Sequence, residues 1–257
     1  MSAPIVQIDP LSLTSLYLKL NVNGNLLSTA TGIIVEHEQR YYLVSNYHVF
    51  AGRHAESGRP LSPTAGIPDE ARIAHHIKPH LGTWRFVGEP LINAEGSPRW
   101  IAHPAGPEID VAGLELRNIP SDAQIYPFSL DLADVDILTQ PAMAVSVIGF
   151  PLGLRPNAFF PIWKTGHIAT DPDLPYGGKP AFLIDATTRS GMSGSPVVIR
   201  TSGAYMDSDR RYVVTSETQT KFLGIYSGRL TDEIEIGCVW RPQVITELLA
   251  QGRSPDP

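Results

Sequence analysis

Short runs of apolar residues, alternating or continuous, recur along the whole chain and predict strands. Residues 16–22 and 26–35 are separated by Asn23-Gly24, a dipeptide typical of a two-residue hairpin turn. Residues 40–45 follow and are rich in aromatic and β-branched side chains. Further short strands are predicted at 71–77, 83–87, 100–102, 111–116, 144–148, 162–169, 181–184, 196–199, 212–215, 222–226 and 236–240. Because clusters of Gly, Pro, Asp and Asn separate these runs, the pattern is typical of an all-β barrel or sandwich.

One helix is predicted late in the sequence, at residues 242–251. The segment opens on a proline, which is tolerated at the first position of a helix. Val244, Ile245, Leu248 and Leu249 then form one apolar face, so we expect the helix to pack on a core.

Three segments lack a regular apolar pattern. Residues 53–82 are polar and proline-rich, which predicts an extended surface insertion, although the strand at 71–77 falls inside it. Residues 118–134 have few strand features and are suited to linking two halves of the chain. Residues 201–211 are predicted to be irregular.

Composition narrows the class of protein. The 257 residues include 22 glycines and 23 prolines, and only 18% are charged. A coiled coil would not tolerate that much proline, and a disordered chain would carry more charge and less apolar mass. The net charge of −6 argues against a nucleic-acid partner, which would call for a basic face. We therefore expect a compact globular protein with many turns.

Cysteine usage and the absence of targeting patterns bear on the compartment. Cys238 is the only cysteine, so no intramolecular disulfide can form and a reducing compartment is favoured. The first residues lack the basic and apolar regions of a signal peptide, and no stretch approaches 18 uninterrupted apolar residues. We therefore expect a cytoplasmic protein with no membrane association.

The run Thr-Arg-Ser-Gly-Met-Ser-Gly-Ser-Pro at 188–196 is the most informative in the sequence. A serine between two glycines suits a tight turn that exposes a hydroxyl and directs amide N–H groups into one small space. Such N–H groups stabilise the oxyanion of an acyl-transfer intermediate. The run predicts Ser193 as a nucleophile and the N–H groups of Gly191 and Ser193 as an oxyanion hole. The alternative is an ordinary glycine-serine turn.

A serine nucleophile needs a base, and the base needs a carboxylate that orients it. His48 stands at the end of a predicted strand and the start of a turn, where it can project into a cleft. Asp110 stands at the head of an apolar strand. Taken singly, each residue is a weak signal, because a lone histidine is more often a structural residue and an aspartate before a strand is commonly a turn residue. Their order and surroundings favour a triad.

Chain order separates the rival hydrolase classes. All eight histidines lie at or before His167, so none follows Ser193. This excludes the order Ser, acid, His of α/β-hydrolases. A papain-like order of Cys before His also fails, because no histidine follows Cys238. The remaining order is His48, Asp110, Ser193, which chymotrypsin-type enzymes use.

Four blocks of sequence carry a resemblance to a known family. They are Thr-Gly-Ile-Ile-Val at 31–35, Tyr-Leu-Val-Ser-Asn-Tyr-His-Val at 42–49, Ile-Asp-Val-Ala at 109–112 and Gly-Met-Ser-Gly-Ser-Pro at 191–196. Together they resemble the chymotrypsin-fold, trypsin-like serine peptidases, in the style of the bacterial high-temperature-requirement peptidases. Residues 147–154 and 164–169 resemble the opening strands of the second barrel more loosely.

The resemblance implies an all-β fold of two six-stranded antiparallel barrels with a C-terminal helix. Residues 1–125 would form the first barrel, with His48 and Asp110, and residues 126–257 the second, with Ser193 and the helix. The implied function is a serine endopeptidase that cleaves polypeptides through an acyl-enzyme. Two alternatives stay open: a peptide-binding scaffold of the same fold that does not cleave, and a partner-activated hydrolase or esterase.

The sequence departs from the family pattern in three respects. Activated digestive relatives have an aspartate before the nucleophile that pairs with a newly cut N-terminus, but here that residue is Met192, so we expect no such activation. The usual second glycine after the nucleophile is Ser195, a small change. We expect no PDZ-like domain after the helix. An activating protein partner and the oligomeric state stay open.

Family position also suggests which residues meet the substrate. Thr187 and Thr188 fall at the base of the primary specificity pocket and Gly237 on its wall, so we expect a neutral pocket for a small or medium apolar side chain. The resemblance further assigns the lane for an extended substrate to three consecutive residues, of which the first would also lie behind the aspartate. These are Ser227, Gly228 and Arg229.

Neither a metal nor another cofactor is expected. His75, His76 and His80 form the pattern His-His-x-x-x-His, in which His76 and His80 could share a face of a helix and bind zinc. However, Lys78-Pro79 breaks a helix there, and no Glu or Cys completes the four ligands of a structural site. The Asp-Ser-Asp at 207–209 lacks the remaining spacing of a calcium loop, so we interpret it as a solvated turn.

Overall fold

A computed structural model describes residues 7–231 and 233–255 of the chain. The first half holds two short helices and eight strands. In chain order they are α1 Leu11–Thr14, β1 Ser15–Val22, β2 Asn25–His37, β3 Arg40–Ser45, α2 Tyr47–Ala51, β4 Glu70–Ile77, β5 Trp84–Pro90, β6 Ile101–Ala102, β7 Ala112–Glu115 and β8 Ala123–Gln124. The strands pair antiparallel in the order β5-β4-β1-β2-β3-β7-β6, with β8 added at β4.

The second half holds six strands and the last helix, and a 3-10 helix at Leu130–Ala133 lies on the connection into it. The strands are β9 Ala144–Gly149, β10 Ile162–Ile168, β11 Ala181–Asp185, β12 Pro196–Met206, β13 Tyr212–Arg229 and β14 Ile236–Trp240, followed by α3 Gln243–Gln251; a further 3-10 helix at Pro151–Gly153 follows β9. The six strands pair in a closed ring, β10-β11-β14-β13-β12-β9. The second half thus agrees with the expected six-stranded barrel, whereas the first forms one eight-stranded sheet with an open order.

The local patterns explain several elements. Asn23 and Gly24 join β1 to β2 with φ values of 49° and 76°, as a two-residue hairpin of the favoured hand requires. In β1, Leu16, Leu18 and Leu20 are all buried and lie on one face, as a period of two demands. The predicted strand boundaries therefore agree with the structure to within a few residues in most of the sheet.

Two predictions about irregular segments are wrong. Residues 201–206 continue β12, and Tyr212–Arg229 is one strand rather than two, so 196–229 forms a long hairpin. Its outer part is largely exposed, including the apolar side chains of Tyr212 and Val214. The expected surface insertion at 53–82 also shrinks, because Glu70–Ile77 is a buried strand paired with both β1 and β5. What remains on the surface before that strand is the segment 53–69.

A shared hydrophobic core joins the two halves. Ile33 and Val44 of the first sheet cluster with Val198 and Phe222 of the second, all of them fully or almost fully buried. Helix α3 belongs to the same cluster, with Val244, Ile245 and Leu248 buried as its apolar face predicts. The connecting segment contributes Phe128. This packing holds the two sheets, which together carry the candidate site, against each other. Within the described residues no helix is long and apolar enough to cross a membrane.

Candidate active site

His48 lies in the first turn of α2, a five-residue helix that begins directly after β3. Sequence reasoning placed this histidine at the end of a strand, so the helix was missed. Two hydrogen bonds tie its start to the Asp110 segment: Asn46 Nδ2 donates to the carbonyl of Asp110 at 2.7 Å, and the His48 amide donates to Asp110 Oδ1 at 2.9 Å. These contacts orient the backbone that carries the imidazole.

Both imidazole nitrogens of His48 have a partner. Nδ1 lies 2.7 Å from Asp110 Oδ2, and Nε2 lies 2.9 Å from Ser193 Oγ. Asp110 is buried, and Ser227 Oγ donates a short hydrogen bond to the same Oδ2. The three residues named from chain order therefore meet in one hydrogen-bonded line, with Ser227 behind the aspartate as the resemblance implies.

The protonation of His48 follows from two opposing effects. Burial of the imidazole disfavours its charged form, but the charge of Asp110 and the hydrogen bond to Asp110 favour it. The two effects of Asp110 together outweigh the effect of burial, so the pKa of His48 is raised above its ordinary value of 6.5. The imidazole is thus a stronger base than a free histidine.

The turn that carries Ser193 depends on glycine at two positions. Gly191 and Gly194 have φ values of 93° and 86°, in the left-handed region where side chains are strained. A Cβ on Gly191 would lie 2.4 Å from the carbonyl oxygen of Phe150, and one on Gly194 would lie 2.1 Å from that of Thr31. Met192, where digestive relatives have aspartate, is fully buried in the core of the second barrel.

Thr31, on β2 of the first half, holds this turn from the other side of the cleft. Its amide donates to the Ser193 carbonyl at 2.9 Å, and its hydroxyl donates to the Gly191 carbonyl at 2.9 Å. The same hydroxyl accepts from the amide of Phe150 at 3.2 Å. Sequence reasoning quoted Thr31 only as part of a strand, because its partners lie about 160 residues away in the chain.

The backbone amides of the turn differ in whether they donate a hydrogen bond within the chain. The amide of Met192 donates to Arg189, that of Gly194 to Tyr226 and that of Ser195 to Met192. By contrast, the amides of Gly191 and Ser193 donate to no other described residue of the chain. Two neighbouring donors beside the Ser193 hydroxyl are therefore available to an incoming group.

Two cavities flank Ser193 along the cleft. One, of about 450 Å³, is lined by the three triad residues and by the residues of the expected substrate lane: Ser227, Gly228 and Arg229. The other, of about 530 Å³, lies on the far side of Ser193 and is lined by apolar side chains such as Leu27, Val49 and Leu61. Both cavities are lined by His48, Leu61 and Ser193, so they adjoin at the nucleophile.

The surface segment 53–69 borders both cavities. Leu61 lines each of them, and Glu56 lines the first. Glu56 also forms an ion pair with Lys179 of the second half, and that hydrogen bond lowers the pKa of the Glu56 carboxyl. The segment therefore contacts the opposite side of the cleft.

The residues expected to form the specificity pocket do not border either cavity. Thr187 is exposed, and Thr188 is fully buried with its hydroxyl bonded to that of Tyr226. Gly237 faces the ring of Tyr226, so that a Cβ there would lie 2.4 Å from Tyr226 Cε2. The Tyr226 side chain therefore lies between Thr188 and Gly237, and the assignment of these residues to the specificity pocket stays a prediction.

Cys238 and the histidines of β4 differ from the triad in their chemistry. Cys238 lines the first cavity, but burial raises the pKa of its thiol to about 12, so it stays protonated. His75 and His76 are buried on β4, away from the cleft, while His80 is exposed. Among the residues that the structure describes, no cluster of three potential metal ligands occurs.

Comparison with known proteins agrees with this geometry. Residues 30–206, more than half of the chain, match the family model of the trypsin-like peptidase domain. The serine endoprotease from Yersinia pestis superposes with a TM-score of 0.53 at 12% identity, over 96% of this chain and 67% of that one. The active form of the Rv3671c protease from M. tuberculosis gives 0.50 at 17% identity, over 96% and 83%. These similarities show a chymotrypsin-like fold. Comparison with curated protein sequences gives no match.

Proposed function

We propose that this chain, which belongs to the trypsin-like peptidase family and is a serine protease of that type, cleaves internal peptide bonds through an acyl-enzyme formed on Ser193. The observation that carries the proposal is the hydrogen-bonded line from Asp110 through His48 to Ser193, with distances of 2.7 and 2.9 Å. Both distances are within hydrogen-bond reach, as proton transfer between the groups requires.

His48 acts as the base in the first step. Its Nε2 takes the proton of Ser193 as Oγ attacks the carbonyl carbon of the substrate, and the resulting imidazolium is stabilised by Asp110. The imidazolium then donates that proton to the leaving amine. Water attacks the acyl-enzyme in the second step, with His48 again as base, and releases the carboxylic acid and the free Ser193 hydroxyl.

The Gly191 and Ser193 amides form the oxyanion hole. Both lack an acceptor within the described part of the chain, and both lie in the turn that presents the hydroxyl. Donors fixed in place before the reaction stabilise the negative charge on the tetrahedral intermediate without reorganising, and one such donor contributes about 10²–10³-fold in rate. Thr31 supports the hole indirectly, because it binds the carbonyls of the same two residues.

The Ser193 hydroxyl has a second acceptor, which bears on the pH at which the enzyme works. Oγ lies 2.9 Å from the carbonyl oxygen of Ser227 as well as 2.9 Å from His48 Nε2. A hydroxyl has one proton to donate. When His48 is protonated, Nε2 can no longer accept, and the hydroxyl turns to Ser227; neutral His48 is required for attack.

An extended substrate lies along the end of β13. Ser227, Gly228 and Arg229 line the first cavity, and the pairing of β13 with β14 shifts register between Tyr226 and Gly228. Backbone groups released at such an irregularity can pair with a substrate strand, a common mode of peptide recognition. We therefore assign this segment to the residues on the acyl side of the scissile bond.

Labelling with a fluorophosphonate probe tests the proposal. Wild-type protein should be labelled, and Ser193→Ala should abolish labelling and lower peptide turnover by about a thousandfold or more. Ser195→Ala is the matched control, because that serine is buried two residues away and its Oγ has no partner within the described chain; labelling should persist.

The other outcomes separate the alternatives. Absence of labelling in the wild type would favour a peptide-binding scaffold of the same fold. Labelling without cleavage of casein or short peptides would favour an esterase or a hydrolase that needs a partner.

A further inference from the structure

Tyr226 occupies an unusual place next to the nucleophile turn. Its amide donates to the carbonyl of Ser195 at 2.8 Å, and its carbonyl accepts from the amide of Gly194 at 2.9 Å. The backbone of Tyr226 is thus fixed to the turn that carries Ser193. Tyr226 also directly precedes the segment proposed to hold the substrate, Ser227 to Arg229, and its side chain is buried in the core of the second barrel.

The Tyr226 side chain fills the space between the two residues assigned to the specificity pocket. Its ring contacts the backbone of Gly237 so closely that an added Cβ would lie 2.4 Å from Cε2 and 2.9 Å from the hydroxyl oxygen. Its hydroxyl forms a short hydrogen bond with Thr188 Oγ1. Only 2% of the Tyr226 surface is exposed, and Thr188 is fully buried. The gap between Thr188 and Gly237 therefore holds a phenol ring.

This ring is costly to displace. Burial raises the pKa of the Tyr226 hydroxyl to about 12, so it stays neutral. Moving it would leave the Thr188 hydroxyl buried without its partner, which is unfavourable. Polar contacts also link the backbone of Thr188 to the neighbouring strand end. Arg189 Nη1 donates to the Thr188 carbonyl at 2.6 Å and to Glu235 at 2.8 Å. Glu235 in turn lies 3.9 Å from Arg229.

We propose that Tyr226 closes the primary specificity pocket and thereby restricts cleavage to bonds that follow glycine or alanine. The inference rests on the proposed peptidase function and names its substrate class. In it, Tyr226 is the specificity-determining residue: a methyl group fits above the ring, and a longer side chain meets the phenol.

A peptide series that varies only the residue before the scissile bond tests this. We expect wild-type kcat/KM for alanine to exceed that for leucine or phenylalanine by about a hundredfold or more, since each excluded methylene changes the rate by about tenfold or more. Tyr226→Ala should raise kcat/KM for leucine at least tenfold, and Tyr226→Phe, which keeps the ring, should retain the wild-type preference. Efficient wild-type cleavage after leucine or phenylalanine would overturn the proposal.

A binding measurement tests whether Tyr226 fills the pocket without relying on catalysis. An emptied apolar cavity binds a small aromatic molecule, so 4-methylphenol should raise the melting temperature of Tyr226→Ala and not that of the wild type. Tyr226→Val serves in the same assay if the alanine variant does not fold. Equal stabilisation of the wild type would show an open pocket and overturn the proposal.

Fluorophosphonate labelling distinguishes failure of the Tyr226 proposal from failure of the peptidase proposal. Labelled wild type that cleaves after large residues would contradict the role of Tyr226 while the peptidase function stands. Unlabelled wild type would contradict the peptidase function, and the 4-methylphenol measurement would still decide whether Tyr226 fills the pocket.

Discussion

His48 and His76 are both largely enclosed in the first half of the molecule, but their surroundings differ in charge. His48 has the carboxylate of Asp110 at 2.7 Å, and its pKa is raised. His76 lies among the rings of Trp84, Tyr126 and Phe160, and burial lowers its pKa to about 4. Its neighbour His75 is buried as well, and its pKa is also lowered to about 4.

The difference shows what makes one histidine a base. Burial disfavours the imidazolium in both places, so enclosure alone would leave His48 with a low pKa and little affinity for the Ser193 proton. The charge on Asp110 reverses that effect. In this molecule the aspartate therefore raises the basicity of His48 as well as orienting its ring. Variants of Asp110 and His76, and a change of pH, test the two environments separately.

The largest effect is expected from Asp110→Asn. The variant keeps a similar shape but loses the charge, so kcat/KM should fall by about 10⁴-fold, as the equivalent change does in a Ser-His-Asp triad. The pKa of His48, followed by NMR titration, should fall below its wild-type value, because burial is then opposed less. Asp122→Asn, which breaks an exposed ion pair with Arg85, is the matched control. An unchanged pKa in Asp110→Asn would contradict the electrostatic account.

The second effect concerns stability in acid. His75 and His76 bind protons more readily in the unfolded chain, where the pKa is about 6.5, than in the fold, where it is about 4. The free energy of unfolding should therefore fall as the pH drops from about 6.5 to about 4, by up to about 3 kcal/mol for one such histidine. His48 acts in the opposite sense: its contribution is present below pH 6.5 and is lost as the pH rises through its raised pKa.

Urea unfolding between pH 7 and pH 4 measures that loss. His76→Phe removes one titrating group and should make the decline shallower, whatever it does to stability at pH 7. Trp84→Phe alters the same aromatic cluster without removing a titrating group, and its pH dependence should match the wild type. Identical slopes for His76→Phe and the wild type would show that His76 is not buried neutral.

The smallest effect is the position of the pH–rate profile. Since neutral His48 is the base, kcat/KM should fall about tenfold per pH unit in acid. The midpoint should lie above 6.5, because Asp110 raises the pKa of His48. His80→Gln, which changes an exposed histidine outside the cleft, should leave the profile in place. A rate that stays flat from pH 5 to 8 would argue against His48 as the base.

Sequence patterns were sufficient where structure is local. The hairpin at Asn23-Gly24 and the apolar faces of β1 and α3 are fixed by neighbouring residues, and the triad followed from chain order together with its family resemblance. Helix α2 was missed because five residues are too few to show a helical period. The outer part of the β12–β13 hairpin was predicted only at 212–215, because residues 200–204 and 216–220 are polar or small and show no apolar alternation.

The roles of Thr31 and Tyr226 could not be predicted from the sequence for a different reason. Thr31 meets Gly191 across 160 positions of the chain, and Tyr226 meets Thr188 across 38. Each contact depends on how strands pair and how the halves dock. The family pattern predicts Thr188 and Gly237 at the specificity pocket, but it did not indicate that the side chain of Tyr226 lies between them.

The contacts of Thr31 also bear on when activity arises as the chain is made. Thr31 leaves the ribosome early, whereas Gly191 and Ser193 follow about 160 residues later. Domains generally fold in the order of synthesis. The amide and hydroxyl of Thr31 therefore have no partner in the nucleophile turn until the second barrel has folded and packed against the first sheet. We therefore expect the nascent chain to stay inert toward neighbouring polypeptides until nearly all of it has been synthesised and folded.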